Sequence, residues 1–259
     1  MFAELEDLRQ RTLDNNLVWL QSFGCRVKRE GNVVHVYHPE LKDYSALLLF
    51  GGPEESYKAF REHTEGRTDC PDRQNVYVDK KAASPGLGQL LKLLGYLKTS
   101  VSYVTAGEWK RGGAPGEVLI RPATLEQADY WASVYSLGFG HVAEERVLDR
   151  GRWRIAFCAN TVRHWFLTRR DAVIGVCQTC VAHGVIGVYS FTLLPAERDR
   201  RHFREAVNAL GDVMAGDGGG VFYFERVKDL RSAPFISRAP KSPSGFKVIR
   251  VAEAFRRGI

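Results

Sequence analysis

The stretch 185–210, VIGVYSFTLLPAERDRRHFREAVNAL, decides the fold. Its first ten residues, Val185 to Leu194, are apolar, β-branched and aromatic, which suits a central strand. Pro195 ends that strand, because proline brings no N–H to a ladder. From Asp199, a residue placed to cap, Phe203, Val207 and Leu210 recur at helical spacing. A strand that opens onto a helix N-terminus is a natural anion site, since the first turn offers unpaired N–H groups and the positive end of the dipole. Arg198, Arg200, Arg201 and His202 crowd that same turn.

Outward from this stretch, strand-like runs alternate with turns. Residues 164–168 and 172–181 read as strands joined by a turn at 169–171, and the turn Ala182-His183-Gly184 leads into the central strand. Downstream, 221–227 (VFYFERV) reads as a further strand, and GFKVIRVAEAF as a closing one. Upstream, 118–121 is a short strand. It runs into a helix with Thr124 as N-cap and Gln127 at the capping-box position. A second helix is expected over 141–149, then a short strand or buried loop over 153–159.

The segment FTLLPAERDRRHF resembles the acyl-donor motif of the GNAT superfamily of N-acyltransferases, which runs strand, Pro, Arg, then glycines in a loop that opens a helix. Phe191 to Leu194 match the strand, Pro195 the proline and Arg198 the arginine. Asp199, Arg201 and Phe203 depart from the pattern, standing where the family carries small residues that let the backbone approach a pyrophosphate. The string IRPATLEQAD is similar to the opening of a GNAT domain. From 118 to 255 the order of elements is that of the family.

Before the stretch KRGGAPGE (110–117), a linker by its Gly, Pro and charge, the chain shows a similar order at lower clarity. It reads helix (4–23), hairpin (26–37), strand (43–50), helix (53–65), strand (75–79), helix (87–98) and strand (99–105). The expected class is α/β, with two GNAT-like halves, each a mixed, mostly antiparallel sheet flanked by helices. The expected domains are 1–109, degenerate, and 118–259, carrying the site. In the first half the turn Gly51-Gly52-Pro53-Glu54-Glu55 is short and acidic, and makes a poor pyrophosphate site.

The chain has 259 residues, 44% hydrophobic and 26% charged, with net charge +7. That composition describes a globular protein with a real core. No run of about 20 apolar residues could span a bilayer, and MFAELEDLRQ has no secretory apolar segment, so the expected location is the cytoplasm without membrane attachment. Five scattered cysteines argue for free thiols. Cys177 and Cys180 sit three apart on a strand and so face opposite sides, and no metal ligand is assigned. The basic excess favours an acidic partner, with plain solubility as the alternative.

Amide-forming transfer needs a polarised carbonyl, a deprotonated amine and a proton for the leaving group. In the GNAT pattern the carbonyl meets backbone N–H groups where the central strand splays from the next, here around 189–193 facing 221–226. For acid and base, Tyr223 and Glu225 share a strand face. Glu225 among aromatics would gain a raised pKa and act as a base, or would simply pair with an arginine. Tyr223 would protonate the leaving group, or be a core aromatic with a satisfied hydroxyl. Ser190 and Thr192 would hydrogen-bond substrate. Phe191, Leu193, Arg198, Arg200, Arg201 and His202 would bind the donor, the arginines through bidentate phosphate contacts, or form a solvated face. A second basic group, Arg150, Arg152, Arg154, Arg163, Arg169 and Arg170, is interleaved with Trp153 and Trp165. That suits nucleotide stacking or a buried pair of tryptophans.

The sequence is thus expected to encode an N-acyltransferase with no tightly bound cofactor. Its donor would be aminoacyl-tRNA, with acyl-CoA as the alternative and a non-catalytic binding module as the third reading. tRNA and an acceptor amine, on a small molecule or a peptide, are the expected partners.

Overall fold

The computed structural model describes residues 2–39, 45–65, 75–109, 116–216, 220–229 and 246–257. Helix α1 (Phe2–Gln21) leads into strands β1 (Arg26–Glu30), β2 (Val33–Tyr37) and β3 (Ala46–Leu49). Helix α2 (Pro53–Glu65), β4 (Asn75–Asp79), α3 (Pro85–Leu93) and β5 (Tyr96–Glu108) follow. Next come β6 (Val118–Pro122), α4 (Ala128–Phe139), α5 (Ala143–Phe157), β7 (Val162–Arg169), β8 (Ala172–Ala182) and β9 (Val185–Leu193). Helix α6 (Arg200–Gly216), β10 (Val221–Asp229) and β11 (Lys247–Arg257) complete the order. Among the described residues, no helix is long and apolar enough to cross a membrane.

Two units form from discontinuous segments. The larger takes Met1–Phe23, Ala106–Phe224 and Ser242–Lys247, and the smaller takes Gly24–Thr105, Glu225–Lys241 and Val248–Ile259. The contiguous halves expected from the sequence, 1–109 and 118–259, are not how the chain packs. Helix α1 belongs to the larger unit, because its buried Asn15 finds its partners on β8, β9 and β10. Strand β11 belongs to the smaller unit, where it pairs antiparallel with β4 and lies next to β5. Most of the expected linker, 110–115, lies outside the described residues.

In the smaller unit the strand order is β1-β2-β3-β4-β11-β5. Strands β3 and β4 are parallel, with α2 as the crossover, and a core forms around Leu47, Leu49, Phe60, Val76, Leu87 and Leu91. The larger unit has the order β10-β9-β8-β7-β6. All its pairs from β6 to β9 are antiparallel, while β9 and β10 are parallel with α6 between them. Each unit therefore holds one parallel pair bridged by a helix within a mostly antiparallel sheet, as the sequence implied.

Two apolar layers sandwich the strands of the larger unit. On one face Ala206, Leu210 and Met214 of α6 pack on Trp165, Leu167, Cys177, Ile186, Val188 and Phe222. On the other, Trp131 of α4 and Trp153 and Ala156 of α5 pack on Phe166 and Val176, with Phe23 after α1. The β7–β8 and β8–β9 hairpins turn tightly, with Arg170, Asp171, His183 and Gly184 all at positive φ, the handedness that matches strand twist.

Local readings differ from the structure at two helices. The expected helix 141–149 and the strand or loop at 153–159 are one helix, α5. Arg150, Arg152 and Arg154 alternate like a strand, but Trp153 and Ala156 bury at helical spacing. The expected helix 87–98 stops at Leu93, because Gly95 at φ +79 turns the chain and Tyr96 already starts β5. The strand expected at 221–227 runs on to Asp229, where a short helix or loop over 228–238 was expected; residues 230–238 lie outside the described residues.

His164 lies deep in the second layer. It stacks on Phe157 at 3.7 Å and meets Trp131 edge-on, with its Nε2 2.7 Å from Gln178 Nε2. Burial pushes its pKa down to about 3. The unfolded chain therefore takes up a proton near pH 6.5 that the folded chain refuses, so stability falls as pH drops from about 6.5 towards 3. Denaturant unfolding between about pH 7 and pH 4.5 should show the wild type losing up to about 1.4 kcal/mol per pH unit more than His164→Asn. Equal slopes would mean that the imidazole protonates in place.

Candidate functional site

The site is built on β9. On its β8 side, Val188 pairs with Thr179 and Tyr189 with Gln178, and the next rung joins Thr192 to Val176. Ser190 and Phe191 thus oppose Cys177 alone, which is a β-bulge. Ser190 takes φ +50, a left-handed conformation that costs a non-glycine residue on the order of 1–3 kcal/mol. On its β10 side, β9 pairs from Val185↔Val221 to Val188↔Phe224, and among the described residues no rung joins the two strands beyond that. The bulge and the end of pairing coincide. Over 189–193, among the described residues, β9 keeps a paired strand on its β8 side alone, and its unpaired β10 side is the opening between the two strands.

The bulge also resets which side chains share a face. Thr192 faces α4, where a Cβ on Gly138 would come within 2.6 Å of its Oγ1. Phe191 turns to the other face, with its ring 5.1 Å from that of Phe203, and Leu193 joins the core there. Strand alternation alone would put Ser190 and Thr192 on one face, but the left-handed turn at Ser190 interrupts the alternation. Tyr189 takes its place, facing α1.

Tyr223 sits one rung inside the opening and is buried. Its hydroxyl donates to Asn15 Oδ1 at 2.8 Å, Tyr189 Oη donates to the same oxygen at 3.0 Å, and the two hydroxyls also touch. Trp19 stacks on Tyr189 at 4.3 Å. Burial, and then the neighbouring phenol, push the Tyr189 pKa well above its ordinary value. Tyr223 thus stands as a core aromatic with a satisfied hydroxyl. Glu225 belongs to the smaller unit and is exposed, not enclosed by aromatics. There its charge adds to burial in raising Tyr77 to about 12.

The start of α6 does not present the open donors that the sequence suggests. Asp199 Oδ1 accepts from His202 N–H at 2.7 Å, and Asp199 O from Phe203 N–H at 3.2 Å. The His202 N–H holds the Asp199 carboxyl below its usual range. Arg198, Arg201 and His202 are engaged with the protein's own oxygens. Arg198 donates to Leu193 O at 3.1 Å and to Gly138 O, tying the end of β9 to the end of α4. Arg201 pairs with Glu205 at 2.7 Å and with Glu117 at 3.6 Å. His202 lies against Asp199, Glu197 and Arg169. Arg200 is exposed. A carboxylate one residue from the helix closes the site because it needs no association entropy, unlike a free anion. In the smaller unit the start of α2 is closed likewise, Glu55 Oε2 accepting from Gly52 N–H at 3.3 Å and Asn32 Nδ2 at 2.8 Å.

The second basic group divides. Arg154 grips Asp129 in a two-bonded pair at 3.0 and 2.8 Å, and Arg169 reaches Glu197 at 3.3 Å. Trp153 and Trp165 are both core residues, and Trp165 Nε1 donates to Thr179 at 2.9 Å. Neither ring offers a face for a nucleotide. Arg152 is buried and lies over the rings of Trp153 and Tyr135.

Asn15, Tyr189 and Gly187 escaped the sequence reading. The signal for Asn15 was a polar residue inside the leucine face of α1, beside Leu13 and Leu17. Gly187 reads as a weak spot in a strand. In the structure a Cβ there would stand 2.5 Å from Tyr189, 2.7 Å from Asn15 Oδ1 and 2.7 Å from Tyr223 Oη.

No family model matches the sequence, and no curated protein matches it. Among solved structures, the chain is similar to a GCN5-related N-acetyltransferase from Kribbella flavida, with TM-score 0.62 and 15% identity over 95% of each chain. It is also similar to a functionally unknown conserved protein from Staphylococcus epidermidis, with TM-score 0.64 and 9% identity over 89% of this chain and 92% of that one. A putative acetyltransferase from Novosphingobium aromaticivorans gives 0.51 and 11%, over 90% and 92%. The fold is that of the GNAT proteins.

Two substitutions test this geometry in chemical denaturation. Gly187→Ala should lose about 1–3 kcal/mol by forcing the tyrosine pair apart. Ser190→Gly should gain up to about 1 kcal/mol by relieving the left-handed serine. A neutral Gly187→Ala would show that the pocket around Asn15 is loosely packed.

Proposed function

We propose that the protein is an N-acyltransferase that forms an amide directly, without a covalent enzyme intermediate, at the opened side of β9. One observation carries this reading: the bulge at Ser190 and the loss of β10 pairing after Val188 coincide. Backbone N–H groups in that stretch are fixed dipoles that stabilise the oxyanion formed when an amine nitrogen attacks an acyl carbon. The bond from acyl carbon to leaving group then breaks, and the proton lost by the amine ends on the leaving atom. Ser190 borders this opening and takes the acceptor, a small-molecule or peptide amine, while Thr192 packs on α4 and holds the strand behind it. Phe191 borders it on the donor side, backed by Leu193 in the core beneath.

The donor we favour is aminoacyl-tRNA. The closed start of α6 supports this choice, because Asp199 and Glu197 place negative charge where a CoA pyrophosphate would come to rest in this fold. An aminoacyl ester leaves as a ribose hydroxyl and asks for no such seat. Exposed Arg200, with Arg204 one turn on, offers cations to the tRNA backbone. Arg198, Arg201 and His202 then shape the donor side through the carbonyl and carboxylate contacts described. Tyr223 is left to organise the strands, and Glu225 to face solvent. The second reading is an acyl-CoA donor, favoured by the fold's occurrence in proteins named as N-acetyltransferases.

The two readings separate by binding. Charged tRNA should be retained on filters and lost between about 50 and 200 mM salt, and amide formation on a panel of amines should follow. Millimolar acetyl-CoA should leave Tm unchanged, whereas a ligand at about 100 times its Kd would add about 2.7 kcal/mol. Stabilisation of the wild type by acetyl-CoA would overturn the tRNA donor. Absence of transfer from either donor would overturn the enzyme.

A further inference from the structure

Helix α1 lies at the start of the chain and carries none of the residues assigned to the reaction, yet it reaches the point where β9 and β10 part. Asn15 is fully buried there. Its Oδ1 accepts from Tyr189 on β9 and from Tyr223 on β10. Those tyrosines flank the last rung, Val188↔Phe224, with one residue just past it on β9 and the other just before it on β10. Its Nδ2 meanwhile donates to Cys180 O at 3.0 Å, and to Ala182 O and Val185 O at 3.1 Å each. One amide thus joins the β8–β9 hairpin and both arms of the opening.

We infer that Asn15 is a positioning residue that sets how far β9 and β10 open, and through that the placement of the bulge at Ser190. The proposal rests on the reading of that opening as the reactive site.

The chemistry of an amide suits the task. A carboxylate in the same place would bury a charge and lose the three donor contacts. An apolar side chain would leave two hydroxyls and three carbonyls to find other partners. Gly187 leaves the space that lets both tyrosine hydroxyls reach one oxygen. Trp19, stacked on Tyr189 and donating to Gln178 Oε1 at 3.2 Å, fixes the ring whose backbone leads directly into Ser190. The hydroxyl pair is therefore held from one side by stacking and from the other by a shared acceptor.

Hydrogen exchange of the intact chain tests this without any knowledge of the substrate. Asn15→Ala removes the pin outright. The double variant Tyr189→Phe, Tyr223→Phe removes only its grip on the two arms and leaves the hairpin contacts in place. In both, amides over 186–193 should exchange about tenfold faster or more, while those of β7 stay as in the wild type. If transfer activity is found, the double variant should lower kcat about tenfold and leave donor KM within about twofold. Unchanged exchange over 186–193 in the double variant would overturn the proposal. Uniformly faster exchange across β7 as well would overturn it too, because Asn15 would then be a general stabiliser. A wild type without transfer activity but with the local exchange response would sink the enzymatic reading and leave the pin standing.

Discussion

A strand can satisfy two neighbours only while both stay at hydrogen-bonding distance, and β9 stops doing so at Val188. Up to that residue it is a buried central strand with β8 on one side and β10 on the other. Past it, the parallel partner is gone and the antiparallel one is met through a bulge. Backbone groups that lose a ladder partner must find another or remain costly. The rest of the larger unit can be understood as managing this edge. Helix α6 fills one face, α4 approaches closely enough at Gly138 to touch Thr192, and Arg198 ties the carbonyls of Leu193 and Gly138 together.

Those features differ in how far the sequence could reveal them. The strand, the proline after it and the helix were legible, because they depend on residue type and period. The mixed, mostly antiparallel sheet was expected only through the resemblance, and which strands run parallel, β9 with β10 and β3 with β4, is known from their register. The bulge was not legible. Ser190 has no composition that marks a left-handed residue, and only the register shows that two residues oppose one. Asn15 was hidden for a different reason. Its partners lie 165 to 208 residues away, and nothing local connects a polar side chain in a leucine-rich helix to two tyrosines.

Packing was misread where the chain exchanges elements between its units. Composition places a boundary at a Gly- and Pro-rich segment, and that logic assumes that each half buries its own helices. Here the first helix completes the layer over β8 and β9 in the larger unit, and β11 fills the place beside β4 in the smaller. An apolar face tells that an element is buried but not against what. The stretch around Trp153 shows the same limit at shorter range, since a short apolar run between arginines does not by itself tell a strand from a helix.

The arginine-rich start of α6 carries the most consequence. Counting cations gives an attractive anion site, because charge and helix dipole act together there. Distances give another result. Each cation with a carboxylate or carbonyl nearby is occupied by it, and Asp199 takes the helix N–H that a phosphate would need. For an external anion to compete, it must displace a carboxylate tethered one residue away and then lie beside Glu197 as well. The family's glycines leave that place empty; in this chain it is filled by an acid. The departure from the glycine pattern is therefore a local exchange, an acid that caps its own helix in place of small residues, and the strand, proline and helix around it keep their places.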